Sequence, residues 1–149
     1  MAGRTERDTL NTLIETCRDG ARGFQLAADQ VRSADLKEFF ANTALQRERF
    51  AAELLPHAQR LGGGQDADGT AAGALHRSWM KIKDAITNYD EDAIMAEAER
   101  GEAAAVNAYA EAVTNVLPPD GRAVIEAQYA AIRAAQRELD ELRLSRIAG

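Results

Sequence analysis

The stretch that most constrains the fold of this chain runs from residue 94 to residue 116 and reads IMAEAERGEAAAVNAYAEAVTNV. Its apolar residues recur at steps of three and four, which is the period of one side of an α-helix. The positions are Met95, Ala98, Ala105, Tyr109, Ala112 and Val116. Glu102 falls on the same series, where a packed helix would bury an apolar side chain. The stretch therefore predicts a long helix with one acidic group on its inward face.

Composition extends this helical prediction to the whole chain. Alanine is abundant, whereas the 149 residues include three prolines and 5% aromatic side chains. This balance favours helices packed through small side chains over a sheet, which would use more Val, Thr and aromatic residues. The length is that of one domain with a sizeable core. We expect a flexible N-terminus over residues 1–7 and a single domain over residues 8–146, with a crossover segment at 62–88.

Charge and cysteine content narrow the classes of partner. The formal net charge of −6 argues against a general nucleic-acid binder, because phosphate neutralisation needs clustered Lys and Arg. No apolar run is long enough to span a bilayer, and the opening MAGRTERDTL lacks the apolar centre of a secretory signal. Cys17 is the only cysteine, which excludes an intrachain disulfide and a thiol cluster for zinc. We expect a cytoplasmic protein with no membrane or nucleic-acid partner.

The first half of the chain predicts a helical hairpin. One helix is expected from about Asp8 to Val31, and Ser33 is a suitable N-cap for the next after a very short turn. Such a turn makes the two helices antiparallel neighbours. The second helix contains Pro56 and ends at the glycines of residues 62–64. The predicted inward residues are Leu10, Ile14, Cys17, Ala21, Phe24, Ala28 and Val31, followed by Leu36, Phe40, Thr43, Arg47, Phe50, Leu54, His57 and Leu61.

The second half predicts another hairpin, reached through a crossover that has its own shorter helix over residues 70–87. Asp90 caps the third long helix, and the fourth follows the break at residues 118–120 and runs to about Ser145. The inward residues of the fourth helix are Ile125, Ile132, Gln136, Leu139 and Leu142. Two antiparallel hairpins joined by one long crossover have ferritin-like connectivity. The predicted fold is all-α: a ferritin-like four-helix bundle with an additional crossover helix.

Four segments also resemble a known family. They are LNTLIETCRDGARGF (10–24), AGALHRSWMKIKDAIT (72–87), EAERGEAAAVNAY (97–109) and QYAAIRAAQRELDELR (128–143). They are similar to a bacterial family of ferritin-like four-helix bundles known only as a domain of unknown function, and the resemblance covers residues 8–145. It implies a ferritin-like fold and no established activity. Many members carry His at the position of Gln136 and an acidic residue at the position of Arg22, so both departures argue against an inherited metal site.

The motif of a di-iron bundle is missing from the sequence. Such a site takes one carboxylate from each of two helices and a Glu-x-x-His pair from each of the other two. The residues three positions before His57 and His76 are Leu54 and Gly73, so no such pair exists. A site made of carboxylates alone, holding iron or manganese, stays open as an alternative. Its candidate ligands are Glu15, Glu48, Glu99 and Glu102.

Polar residues on three predicted seams suggest a different arrangement. Arg47, Glu102 and Gln136 each interrupt an apolar inward series. We predict a buried polar layer in which Arg47 and Glu102 form an ion pair and Gln136 hydrogen-bonds beside them, in place of a metal centre. In the alternative, the Arg47 side chain extends to the surface and Glu102 lies at the edge of its seam.

Three functional hypotheses follow. The leading one is a non-enzymatic helical module that binds a second copy of itself or another protein. The second is a degenerate carboxylate-based metal-binding or redox protein. The third is a carrier of a small ligand in a pocket under Trp79. Cys17 is interpreted as a small core residue, because no His is predicted near it and nothing lowers its pKa.

Overall fold

The computed structural model describes residues 5–63, 90–115 and 117–148. These residues form four α-helices and no strand. The helices are α1 (Glu6–Gln30), α2 (Ala34–Arg60), α3 (Glu91–Ala112) and α4 (Pro119–Ala148). The predicted all-α class is confirmed for this part of the chain, whereas the predicted crossover helix over residues 70–87 lies outside it. None of the described helices is both long and apolar enough to cross a membrane.

Capping side chains set where the helices begin. The hydroxyl of Thr5 accepts a hydrogen bond of 3.1 Å from the amide of Asp8, so α1 begins at Glu6, earlier than the sequence predicts. Ser33 and Asp90 cap α2 and α3 in the same way, as predicted. These side chains satisfy amides that have no partner inside the helix.

The end of α2 depends on a glycine. The helix continues through Pro56 to Arg60, and Gly62 then adopts a φ of 81°, in the left-handed region that favours glycine. The amide of Gly63 donates to the carbonyl of Ala58 at 2.8 Å, which closes the helix end. The predicted stop at residues 62–64 thus has a specific backbone cause.

The helices stand at the corners of a square. Helix α1 packs against α2 and α3, and α4 packs against the same two helices. The helices at opposite corners stay apart, because no Cα atom of α2 lies within 8 Å of one in α3, and the same holds for α1 and α4. Only side chains can therefore bridge the centre of the bundle.

Contacts at both ends of the bundle fix the helix directions. The amides of Arg32 and Ser33, after α1, donate to the carboxylate of Glu91 at the start of α3. At the other end, Asn115 donates to the hydroxyl of Thr9 at 3.0 Å. Helices α1 and α3 are therefore antiparallel.

Helix α4 is likewise antiparallel to both of its neighbours, α2 and α3. Arg60, at the end of α2, lies 3.0 Å from Asp120 at the start of α4, and Arg146, near the end of α4, lies 3.3 Å from Glu91. Helices α2 and α3 consequently run in the same direction at opposite corners.

The apolar core consists of two clusters, one toward each end of the bundle. One contains Leu10, Leu13, Ile14, Cys17, Phe50, Ala51, Leu54, Ala58, Ala105, Tyr109, Ala112, Leu117, Ile125 and Ile132. The other contains Phe24, Ala27, Ala28, Val31, Leu36, Phe39, Phe40, Ala44, Ile94, Met95, Ala98, Ala135 and Leu139. On each of α2 and α3, one buried charged residue lies between the two clusters: Arg47 and Glu102. The centre of the bundle is thus the place where α2 and α3 each bury a charged side chain.

Candidate functional site

Arg47 and Glu102 form an ion pair across the centre of the bundle. The Nη2 atom of Arg47 lies 2.8 Å from both carboxylate oxygens of Glu102. The exposed fraction of the two side chains is 2% and 0%. The pair joins α2 to α3, which lie at opposite corners and have no backbone proximity. The structure therefore brings two of the three predicted layer residues together, and it places the Arg47 guanidinium inside the protein and not at the surface.

Helix α1 makes room for the arginine. A Cβ atom added at Gly20 would lie 3.6 Å from Cγ of Arg47, so the arginine stem passes directly along the glycine backbone. The guanidinium carbon lies 5.4 Å from the centre of the Phe24 ring, within range of a cation–π interaction. The Nε atom donates to the side-chain oxygen of Gln46 at 3.2 Å. Small and aromatic residues of α1 thus supply a site shaped for a guanidinium.

The hydrogen bonding of Glu102 is incomplete. Its Oε2 accepts a well-directed hydrogen bond from Arg47, whereas Oε1 accepts none from the described residues. Burial raises the pKa of Glu102, and the charge and hydrogen bond of Arg47 offset part of that effect. A buried carboxylate in this state depends on its counter-charge, because an unpaired charge in the interior is costly.

A second group of polar side chains, joined by hydrogen bonds, lies in the core near the C-terminal end of α3. The Tyr109 hydroxyl donates to Oε1 of Gln128 at 2.7 Å and lies 3.1 Å from the sulfur of Cys17. The side-chain amide of Gln128 donates to the carbonyl of Phe50 at 3.3 Å and to the carboxylate of Glu53 at 3.0 Å. Residues from all four helices are therefore linked through one buried glutamine.

Burial keeps the Cys17 thiol protonated. Burial raises its pKa from 9.0 to about 11, although the hydrogen bond with Tyr109 acts in the opposite direction. Burial likewise raises the pKa of Tyr109, and the neighbouring Cys17 adds to the increase. A protonated thiol is a poor nucleophile at neutral pH. The arrangement fits a structural role for Cys17.

The third predicted layer residue lies elsewhere. Gln136 is half-buried and makes no hydrogen bond to Arg47 or Glu102. The buried positions of α4 are Gly121, Ile125, Gln128, Ile132, Ala135 and Leu139, again at steps of three and four. Gln136 is one residue beyond Ala135, which turns it about 100° away from the centre. The expectation for Gln136 was wrong for this reason.

Gln128 was not found by sequence reasoning, although a signal existed. The predicted seam of α4 left a step of seven residues from Ile125 to Ile132. A heptad-like series needs one further inward position within such a step, and Gln128 occupies it. The predicted inward series included the polar Gln136 but omitted the polar Gln128.

The other candidate carboxylates do not converge on Glu102. Glu15 is half-buried, Glu48 is exposed, and Glu99 pairs with Arg143. Among the described residues, no three His, Cys, Asp or Glu side chains lie close enough together to hold a metal ion. His57 contacts Arg60 and Asp120 near the start of α4. His76 and Trp79, with its predicted pocket, lie outside the described residues.

Comparison with known sequences gives a family and no activity. The model of a family described as "Domain of unknown function (DUF2383)" matches residues 5–115, which is most of the chain. No curated protein matches the chain. The predicted resemblance to a domain of unknown function is thereby confirmed at the level of the family. A helical bundle with a buried ion pair at its centre, this chain belongs to the DUF2383 family.

Proposed function

We propose that this chain is a non-catalytic helical module that acts through protein–protein contacts, and that the Arg47–Glu102 pair occupies the place of a metal centre. The observation that carries the proposal is the buried pair itself, with 2.8 Å between Nη2 and both carboxylate oxygens. A guanidinium at that distance repels any cation that approaches the same oxygens.

The number of ligands supports the same conclusion. A dinuclear centre in a helical bundle draws on acidic residues and histidines from all four helices at one level. At the level of Glu102, α1 presents Gly20 and Phe24 to the guanidinium, and α2 presents Arg47. Gly20 has no side chain, and neither Phe24 nor Arg47 can ligate a divalent metal. One carboxylate paired with an arginine is too small a donor set for redox or hydrolytic metal chemistry.

We also propose a ferritin-like affiliation for the bundle, with a crossover helix over residues 70–87 and a bacterial origin. The affiliation is supported by the direction of α2 and α3, which run the same way at opposite corners and therefore need a crossover between them. The bacterial origin rests on the sequence resemblance alone. The cytoplasmic location stays a prediction from the sequence.

Metal analysis tests the proposal. The full chain is prepared without chelator, and its iron and manganese content is measured by mass spectrometry, before and after anaerobic incubation with each metal. We expect neither metal at a stoichiometric level. Stoichiometric iron or manganese that is lost in Glu102→Gln, but kept in the control Glu126→Gln at an exposed carboxylate of α4, would establish the carboxylate-based metal or redox protein instead.

A further inference from the structure

A groove runs along the outer side of α1 and α2, away from the ion pair. Its volume is about 690 Å³, and its lining is mainly apolar. Ala21 and Ala51 form its buried floor, and the half-buried side chains of Leu26 and Leu55 contribute to its walls. Helices α3 and α4 pack on the other side of this hairpin. The groove is therefore an apolar face that the described part of the bundle does not cover.

An exposed leucine lies beside the groove. Leu45 is 60% exposed and comes one turn before Glu48, which lines the groove, so both lie on the same side of α2. The position of Leu45 along the bundle axis follows from two contacts between α1 and α2. Arg47 passes Gly20, and the ring of Phe40 lies 6.0 Å from that of Phe24. Leu45 is thus level with the part of α1 between residues 20 and 24.

The charges of α1 along this groove are self-complementary. Arg18, Arg22, Gln25 and Asp29 line it at steps of four, three and four. When a second α1 lies antiparallel to the first, Asp29 of one helix lies opposite Arg18 of the other, and Gln25 lies opposite Arg22. Within the described ranges, Arg18 has no ion-pair partner, and Asp29 has no ion-pair partner and accepts a side-chain hydrogen bond from Gln25 at 2.9 Å. One basic end and one acidic end of a single helix can therefore pair with the same helix of another molecule.

We propose that the outer face of α1 and α2 binds a second copy of the chain about a two-fold axis perpendicular to the helices. In this dimer, α1 packs antiparallel on the partner's α1, and each Arg18 pairs with Asp29 of the other copy. The midpoint between these two residues is at about residue 23 of α1, which is level with Leu45. The axis that satisfies the charges therefore also brings the two Leu45 side chains together.

Two independent features, one electrostatic and one apolar, thus define the same axis. A two-fold interface requires such self-complementarity, whereas the binding site for an unrelated protein does not. The inference rests on the proposed function, since it names the partner in the protein–protein contact, and it adds a geometry that can be tested separately.

Sedimentation velocity of the full chain over a range of concentrations tests the dimer. We expect a monomer–dimer equilibrium in the wild type and a mass shifted to monomer in Leu45→Glu. Leu144→Glu is the matched control, because Leu144 has a similar exposure of 64% but lies on α4. Far-UV circular dichroism confirms that each variant is folded, and Glu is tolerated in an exposed helix.

Charge reversal tests the register. Arg18→Glu and Asp29→Arg should each raise the dimer dissociation constant about tenfold or more, because each places like charges together twice in the interface. The double variant Arg18→Glu/Asp29→Arg restores two opposite-charge pairs and should recover the wild-type constant to within about threefold. No recovery in the double variant would exclude the antiparallel α1 contact.

The outcomes separate this inference from the proposed function. A chain that stays monomeric at every concentration, or a dimer that Leu144→Glu dissociates and Leu45→Glu does not, overturns the two-fold contact. Neither result changes the metal content of the protein. Conversely, stoichiometric iron or manganese overturns the proposed function without altering the sedimentation of the charge-reversal variants.

Discussion

At the scale of single residues, Arg47 and Glu102 are each buried charges that would be costly without the other. Glu102→Gln keeps the shape of the side chain but leaves the guanidinium of Arg47 without a counter-charge in the interior. Arg47→Met strands the carboxylate instead. We expect each substitution to lower the free energy of unfolding by about 3–5 kcal/mol, measured by urea denaturation.

An exposed ion pair provides the control. Arg122 and Glu126 lie 3.2 Å apart at i and i+4 on α4, and both side chains are open to solvent. Glu126→Gln should change the free energy of unfolding by less than about 1 kcal/mol. If Glu102→Gln and Arg47→Met changed stability as little as this control, the pair would not be buried as described.

The Cys17 thiol predicts a dependence of stability on alkaline pH. Because burial raises its pKa from 9.0 to about 11, the unfolded chain releases the thiol proton at a lower pH than the folded one. The unfolded state then binds fewer protons in this window, so stability falls as pH rises from 9 to 11, by up to about 3 kcal/mol from this group. Cys17→Ser should lack this part of the decline, since a serine hydroxyl does not titrate there.

Unfolding curves recorded at several pH values check this prediction. The hydroxyl of Ser at position 17 can keep the hydrogen bond with Tyr109. Burial, the main cause of the raised pKa of Tyr109, is common to both proteins, whereas the smaller contribution of Cys17 is lost in the variant. The difference between the two stabilities should therefore change across the window and be constant below it. Equal slopes in wild type and Cys17→Ser would show that the thiol is not shielded from water in the folded state.

At the scale of helices, we expect replacement of glycine by alanine to have opposite effects on stability at two positions. Gly101 lies inside α3, and a Cβ atom added there meets no heavy atom of the described residues within 4 Å. Gly101→Ala should stabilise the protein by about 0.5–1 kcal/mol, because alanine loses less backbone entropy in a helix. Gly62 has a φ of 81°, so Gly62→Ala should destabilise by about 1 kcal/mol.

Thermal unfolding of the two variants is the measurement, and each is the control for the other. A higher melting temperature for Gly101→Ala together with a lower one for Gly62→Ala supports the two backbone conformations. A loss of stability in Gly101→Ala would mean that another part of the molecule approaches α3 at this glycine.

The helices also show what a sequence can and cannot predict. All seven inward residues predicted for α1 are buried, because steps of three and four between apolar residues leave one possible face. The caps at Ser33 and Asp90 were predictable, since their partners lie three residues away in the chain. The inward position of Gln128 had a signal in the sequence, but its partners Tyr109 and the carbonyl of Phe50 did not, because they belong to other helices.

The Arg47–Glu102 pair could be predicted from the sequence only in part. Arg47 and Glu102 could be singled out as polar residues on apolar seams, but their 2.8 Å contact depends on the square arrangement of the helices. Gln136 met the same criterion and was misplaced by one residue. A shift of one position turns a side chain by about 100°, so the period of a helix must be followed through its polar positions as well.

At the scale of the whole molecule, the question is whether the ion pair determines the fold or merely occupies its centre. The antiparallel directions are fixed by contacts at the two ends, and two apolar clusters lie on either side of the pair. These features remain if the charges are removed together. We therefore expect the double variant Arg47→Met/Glu102→Met to regain the stability that each single substitution loses, because two apolar side chains of similar length need no counter-charge.

A double-mutant cycle and a spectrum measure this expectation. Urea unfolding of Arg47→Met, Glu102→Met and the double variant should give a coupling energy of several kcal/mol, since the partner left behind is what makes each single change costly. Dispersed amide resonances in the double variant would show that the bundle keeps one packed state without the pair. A stable double variant with poorly dispersed resonances would instead mean that the pair selects the alignment of α2 and α3, the two helices that only side chains connect across the centre.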